Sequence, residues 1–206
     1  MMRRTRSGTT TFTEFMELIH EDQKADLIDG VIYMSSPENI EHNRLLLWLI
    51  NLLHPFVTGR RLGELLVEKV SYRLSKMDAP EPDLAVVRTE RLDIVRRGYV
   101  DGPPDLAIEI VSPDSVGRDY EDKRRLYEQA GVAEYWIIDP DEKRALFLVR
   151  SEEGSFVEAR LEGQIFHSRV LPGFHFDVGW LWQRPLPDTI PIVQRLLAGA
   201  SGSSVS

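Results

Sequence analysis

Three charged residues stand where an apolar pattern has no use for them. Residues 105–111, Asp105-Leu106-Ala107-Ile108-Glu109-Ile110-Val111, are nearly all apolar, the composition of a strand covered on both faces. Glu109 lies in the middle of that run. A lone carboxylate buried there costs several kcal/mol, so it must hold a proton, pair with a base or bind a cation. A second acid, Asp83, follows Pro82 and opens Asp83-Leu84-Ala85-Val86-Val87. The strand period of two sets Asp83 with Ala85 on one face, and Glu109 with Ala107. Each acid thus has a small neighbour on its own side, which leaves space for an ion or a water. If the strands are neighbours, the two acids converge on one Mg²⁺, which takes oxygen ligands and commonly one or two carboxylates plus water. The third residue is Lys123. It shares a helix face with Tyr120, Leu126, Tyr127 and Ala130, four residues that belong against a sheet. A lysine there either runs out past the sheet edge or points its ammonium at the acids, and the spacing favours the acids.

Those positions need a particular order of elements. Thr11-x-x-Glu14 reads as a capping box that starts a short helix carrying Phe15, Met16, Leu18 and Ile19. Asp29-Gly30 between Leu27-Ile28 and Val31-Ile32-Tyr33 predicts a hairpin. Ser36 as cap and Pro37 at the first helical position start a long apolar-rich helix that runs to about Val57. Strands are expected at residues 64–74, 82–87 and 105–111, followed by a helix over 120–130 capped by Asp119 and ended by Gly131. Further strands are expected at 135–138, 145–149, 156–161 and 174–178. The order predicts a mixed α/β fold, with helices flanking a central mixed sheet and additional strands beside it. A single domain should cover residues 11–190, with polar tails at 1–10 and 191–206, the latter disordered at its Gly- and Ser-rich end. Trp180 and Trp182 either close the core or serve an interface.

Composition narrows the chemistry. The 206 residues fit one domain with an ordinary core. Cysteine is absent, which excludes disulfides and thiolate metal sites. His20, His42, His54, His167 and His175 show no metal-ligand spacing, and no Gly-rich phosphate loop is present. Ser112 and Ser115 flank Pro113-Asp114 as turn residues, outside any nucleophile-elbow context. The most apolar stretch, residues 45–57, is interrupted by Asn51, His54 and Pro55 and falls short of the roughly 20 residues that cross a bilayer. The basic start, Met1 to Arg6, is followed by Glu14, Glu17, Glu21 and Asp22 rather than an apolar signal core. A cytoplasmic protein with no membrane segment is expected. A net charge of −8 argues against a module that coats nucleic acid. It argues less against an acidic site that carries a divalent cation. Basic residues cluster locally, at Arg60-Arg61, at 88–97 and at Lys123 to Arg125.

In order and spacing the motifs resemble the PD-(D/E)XK, or restriction endonuclease-like, superfamily. Pro82-Asp83 matches the leading pair and Glu109 the second acid, while Val111 stands where the usual lysine would follow. Within it the chain resembles the Uma2-type branch, in which that lysine moves to the next helix, here Lys123. Residues 27–178 carry the likeness: Leu27-Ile28-Asp29-Gly30, Ser36-Pro37 through His42-Asn43-Arg44, Glu81-Pro82-Asp83-Leu84, and Glu109-Ile110-Val111-Ser112-Pro113. Asp119, Lys123, Tyr127, Gly131 through Trp136, and Leu171-Pro172-Gly173 continue it. Asp26 stands where the family often has a longer glutamate.

The resemblance implies a restriction endonuclease-like core and a Mg²⁺- or Mn²⁺-dependent endonuclease that hydrolyses DNA phosphodiester bonds. Asp83, Glu109 and Lys123 would be catalytic. Asp83, Glu109 and the backbone carbonyl of Ile110 would hold the metal, and Asp26, His42 and Tyr127 would be accessory. A homodimer is implied, because cutting two strands needs two sites. The rival is a catalytically silent nuclease-like domain that binds protein or nucleic acid as a regulatory module. Keeping three costly groups favours the active site.

Overall fold

Thr11 and Glu14 form the expected reciprocal cap, Glu14 Oε2 accepting from Thr11 N at 2.8 Å, and start α1 (Phe12–Leu18). The computed structural model describes residues 9–20, 23–36 and 39–199. Asp29 and Gly30, both at positive φ (49° and 73°), join β1 (Ala25–Ile28) to β2 (Val31–Met34) in an antiparallel hairpin, the turn geometry that matches strand twist. Of the expected N-terminal tail, residues 1–8 lie outside the described residues. Thr10 is buried and its N–H donates to the Gly30 carbonyl at 2.8 Å, so the domain begins before residue 11.

The long helix α2 (Ile40–Gly59) starts at a different cap from the one expected. Asn39 Oδ1 accepts from His42 N at 2.8 Å, a role asparagine fills as well as serine. Ser36 Oγ instead bonds the Asp114 carboxylate. Pro37 lies outside the described residues.

The central sheet comprises β3 (Gly63–Val67), β4 (Leu84–Arg88), β5 (Leu106–Ile110), β6 (Glu134–Asp139), β7 (Arg144–Arg150) and β8 (Phe156–Glu158), in that spatial order. All neighbours are antiparallel except β5 and β6. A parallel pair requires a crossover, supplied by a helical segment that ends in α3 (Lys123–Ala130). Gly131, at φ 88°, closes it by donating to the Tyr127 and Glu128 carbonyls. β3 stops well short of residue 74 because Glu68 and Lys69 both take positive φ and turn the chain out of the sheet. A small hairpin of β9 (Ile165–His167) and β10 (His175–Asp177) adds a strand the pattern did not show.

The two faces of the sheet are covered by different helices. Leu45, Leu49, Leu52 and Phe56 of α2 pack over Leu84, Val86, Leu106, Ile108 and Trp136. The opposite face buries Ala107, Tyr135, Ile137 and Leu148 with Tyr127 of α3. All five residues of β5 are therefore buried. Trp180 and Trp182 pack against the α2 side and close the core. The C-terminal part differs from the expected tail: α4 (Thr189–Gly199) lies against α2 with Ile192, Val193 and Leu196 buried, while residues 200–206 lie outside the described residues. Among the described residues no helix is long and apolar enough to cross a membrane.

Candidate active site

The β4–β5 ladder brings the two acids together. Ala85 pairs with Ala107 and Leu84 with Ile108, so one step further Asp83 lies beside Glu109. Asp83 Oδ2 accepts the Ile110 N–H at 2.6 Å and lies 3.2 Å from His42 Nε2. Asp83 Oδ1 pairs with Lys24 Nζ, which also reaches Glu68 Oε1 at 3.5 Å. Burial alone would push the Asp83 carboxyl up. The Lys24 ammonium and His42 outweigh it and hold the group well below the usual carboxylate range.

Glu109 is held differently. Its Oε1 accepts from Lys123 Nζ at 2.9 Å and from the Tyr127 hydroxyl at 3.1 Å. Burial dominates and raises this carboxyl well above its ordinary value, with Lys123 opposing and Asp119 and Asp83 adding repulsion. Lys123 Nζ is shared with Asp26 Oδ1 at 3.1 Å and Asp119 Oδ1 at 3.7 Å. Burial would neutralise this lysine, but the three acids keep it an ammonium. Burial also lifts the Asp119 carboxyl to about 6, against the pull of Lys123 and of a hydrogen bond from Ser115 Oγ. Arg118 Nε sits 3.5 Å from Asp26 Oδ2, its guanidinium over the Tyr33 ring. Asp26, Asp83, Glu109 and Asp119 thus face Lys24, Arg118 and Lys123 around a cavity of about 20 Å³, room for about one water or a small ion.

Two local features differ from expectation. The small space at the acids is not lined by the alanines beside them: Ala107 belongs to a cluster with Tyr127 and Tyr135, and Ala85 to one with Tyr72. Asp119 is not a helix cap. The helical segment already starts at Val116, and Arg118–Asp122 forms a π-helical turn in which the Lys123 N–H donates to the Arg118 carbonyl, five residues back. That geometry turns Asp119 inward to Lys123.

Of the residues singled out above, Asp83, Glu109, Lys123, Asp26, His42, Ile110 and Tyr127 all meet in this pocket or on its wall. Sequence reasoning missed Lys24, Arg118 and the pocket role of Asp119. Lys24 stands two residues before Asp26, hence on its side of an extended chain. Asp119 and Lys123 have the i,i+4 spacing of a helical ion pair. Both signals were present but weak.

The six-stranded mixed sheet with helices on both faces is the fold of a nuclease-like α/β domain. The family model Uma2, described as "Putative restriction endonuclease", matches residues 12–179, and the chain belongs to that family. The crystal structure of a "putative nuclease belonging to DUF820" from Anabaena variabilis ATCC 29413 superposes with a TM-score of 0.68 at 18% identity, covering 84% of this chain and 97% of that one. At that identity the likeness is one of fold. No curated protein matches.

Proposed function

We propose that this protein is a metal-dependent endonuclease of the PD-(D/E)XK type that hydrolyses DNA phosphodiester bonds. The reading is carried by the meeting of Asp83, Glu109 and Lys123 in one buried pocket, with Lys123 Nζ 2.9 Å from Glu109 Oε1. Among the described residues no three acidic or histidine side chains are arranged to hold a metal by themselves. The donor set is therefore small: the Asp83 and Glu109 carboxylates and the Ile110 carbonyl. A strand residue turns its N–H and C=O to the same edge, and the Ile110 N–H already faces Asp83. Such a set suits Mg²⁺ or Mn²⁺, which complete their shells with water and phosphate. When bound, the cation would acidify a water and neutralise the phosphate under attack.

The protein's own groups do the rest. Lys123, kept charged by Asp26, Glu109 and Asp119, stabilises the negative charge that develops at phosphorus. Tyr127 fixes Glu109, and His42 fixes Asp83. Cutting both strands of a duplex needs two such pockets, so a homodimer belongs to this reading, as does a cytoplasmic location. The exposed Ile40 and Leu47 on α2 offer an apolar surface for pairing.

Calorimetric titration of Mn²⁺ tests the site. Binding to wild type that vanishes in Glu109→Ala is the expected result. No binding to either protein would overturn the metal site and favour a silent domain that binds protein or nucleic acid, which the net charge of −8 would suit.

The pocket is too small for a nucleotide, so the substrate lies across its mouth. A neighbouring cleft of about 570 Å³, between α1 and the 95–100 loop, is lined by Lys69, Arg96 and Arg97, all exposed. In this reading they meet the DNA backbone. Replacing both Arg96 and Arg97 with Ala should weaken DNA binding and lower the slope of log K against log salt by about 2, since each phosphate contact contributes roughly 0.9. Fluorescence anisotropy over a salt series reads this. An unchanged slope would move the DNA path elsewhere.

A further inference from the structure

Lys24 lies just ahead of β1, and its ammonium sits where a cation would bind. Asp83 Oδ2 is engaged by His42 and by the Ile110 N–H, which leaves Oδ1 as the oxygen open to a metal. Lys24 Nζ is on that oxygen. A divalent cation and an ammonium on the same carboxylate oxygen repel one another, so one must leave. The second partner, Glu68, shows where Lys24 can go. Its Oε1 is 3.5 Å from Lys24 Nζ, and its side chain is 28% exposed against 3% for Asp83. Moving toward Glu68 therefore takes the ammonium closer to water, which lowers the cost of leaving Asp83. This second seat is tied to the first: the Glu68 N–H donates to the Asp83 carbonyl at 3.0 Å. Glu68 itself is held at φ 35°, a backbone conformation that residues other than glycine seldom adopt.

We propose that Lys24 is the resident counter-ion of Asp83, displaced by the divalent cation toward Glu68, where its charge meets the substrate phosphate. The inference rests on the metal-binding reading above. Lys24 Nζ sits between Asp83 Oδ1 and Glu68 Oε1, and an ammonium there competes with the metal as a positive charge. In the metal-free protein Lys24 satisfies a buried acid. With metal bound, a phosphate gives the displaced ammonium a new partner, so metal and DNA each strengthen the other's binding.

The test is Mn²⁺ affinity by calorimetry, with DNA absent, for wild type, Lys24→Met, Glu68→Gln and the Lys24→Gln/Glu68→Gln pair. Removing the competitor should tighten Mn²⁺ binding about tenfold, within the usual range of coupling between sites. Lys24→Gln keeps a neutral donor for Asp83, and serves if Lys24→Met does not fold. Glu68→Gln should weaken Mn²⁺ binding in wild type but have no effect in the Lys24→Gln background, because the seat matters only while there is an ammonium to receive. Wild type and Lys24 variants that bind Mn²⁺ equally would overturn the role of Lys24 while leaving the metal site intact. Equal effects of Glu68→Gln in both backgrounds would overturn the role of Glu68. Mn²⁺ binding to none of these proteins would overturn the metal site, and this inference with it.

Discussion

Glu109→Gln is expected to lower DNA cleavage on the order of 10²–10³-fold, the usual cost of removing one preorganised electrostatic group, while the protein folds much as before. The two halves of this expectation have separate causes. Glu109 Oε1 accepts from Lys123 and Tyr127, and a glutamine Oε1 can accept both bonds. Lys123 also keeps two charged partners, Asp26 at 3.1 Å and Asp119 at 3.7 Å. Burial already disfavours the ionised Glu109 carboxyl, so a neutral amide there relieves part of a cost. What the amide cannot supply is a second carboxylate beside Asp83 for the proposed cation. Cleavage of plasmid DNA in Mn²⁺ together with a thermal melt reads both halves. A variant that cleaves at the wild-type rate would remove Glu109 from the mechanism.

Glu134→Ala should have its largest effect on stability, a loss of about 5 kcal/mol, because each buried donor left unpaired costs roughly 1–3 kcal/mol. Glu134 opens β6 and is fully buried. Its Oε1 accepts from Trp136 Nε1 at 2.6 Å, and its Oε2 from Ser168 Oγ, Arg169 N and Val170 N at 3.1, 2.7 and 3.0 Å. One side chain thus ties the sheet to the loop leading to β10. Alanine would leave all four donors without that acceptor. Burial raises the Glu134 carboxyl above its ordinary 4.5, outweighing the four donors that pull it down. The folded state therefore binds this proton more tightly than the unfolded state does. The stability that protonation provides is present at low pH and falls as pH rises from about 4.5 through the raised value. Glu134→Gln should remove that part of the slope. Urea denaturation at acid and neutral pH measures both effects, and a loss under about 1 kcal/mol in Glu134→Ala would show that other contacts hold the loop.

Much of this was legible in the chain because local patterns and the functional site coincide. Glu109 stood out since β5 is buried on both faces, which makes any charge in it anomalous. Lys123 stood out because the helical period set it among Leu126 and Tyr127. The Thr11–Glu14 cap and the Asp29-Gly30 turn are short-range devices and read directly. Lys24 was not legible in the same way, since its meeting with Asp83 joins positions 59 residues apart. The small space at the acids does not lie beside Ala85 and Ala107, which cluster with tyrosines from distant segments that no strand period reveals. Asn39 rather than the expected Ser36 caps α2, and Ser36 bonds Asp114, a partner 78 residues away that a local pattern does not reveal. α4 was missed because the Gly- and Ser-rich end read as a tail, although the helix itself stops at Gly199, before most of that end. β9, with three residues, showed no periodicity to read.

The π-helical turn at Arg118–Asp122 bears on which changes this region can absorb. It amounts to one residue inserted into an α-helix, and each α-helical residue advances the side chains by about 100°. Exposed positions in it, such as Glu121, do not line the pocket, so their chemical identity is nearly free. Their number is not. Deleting Glu121 would let the segment relax to regular helix and put Arg118 and Asp119 about 100° out of phase with Lys123 and Tyr127. The pocket would be dismantled although every charged group in it remained in the chain. Among relatives, this segment should vary in composition and hold its length.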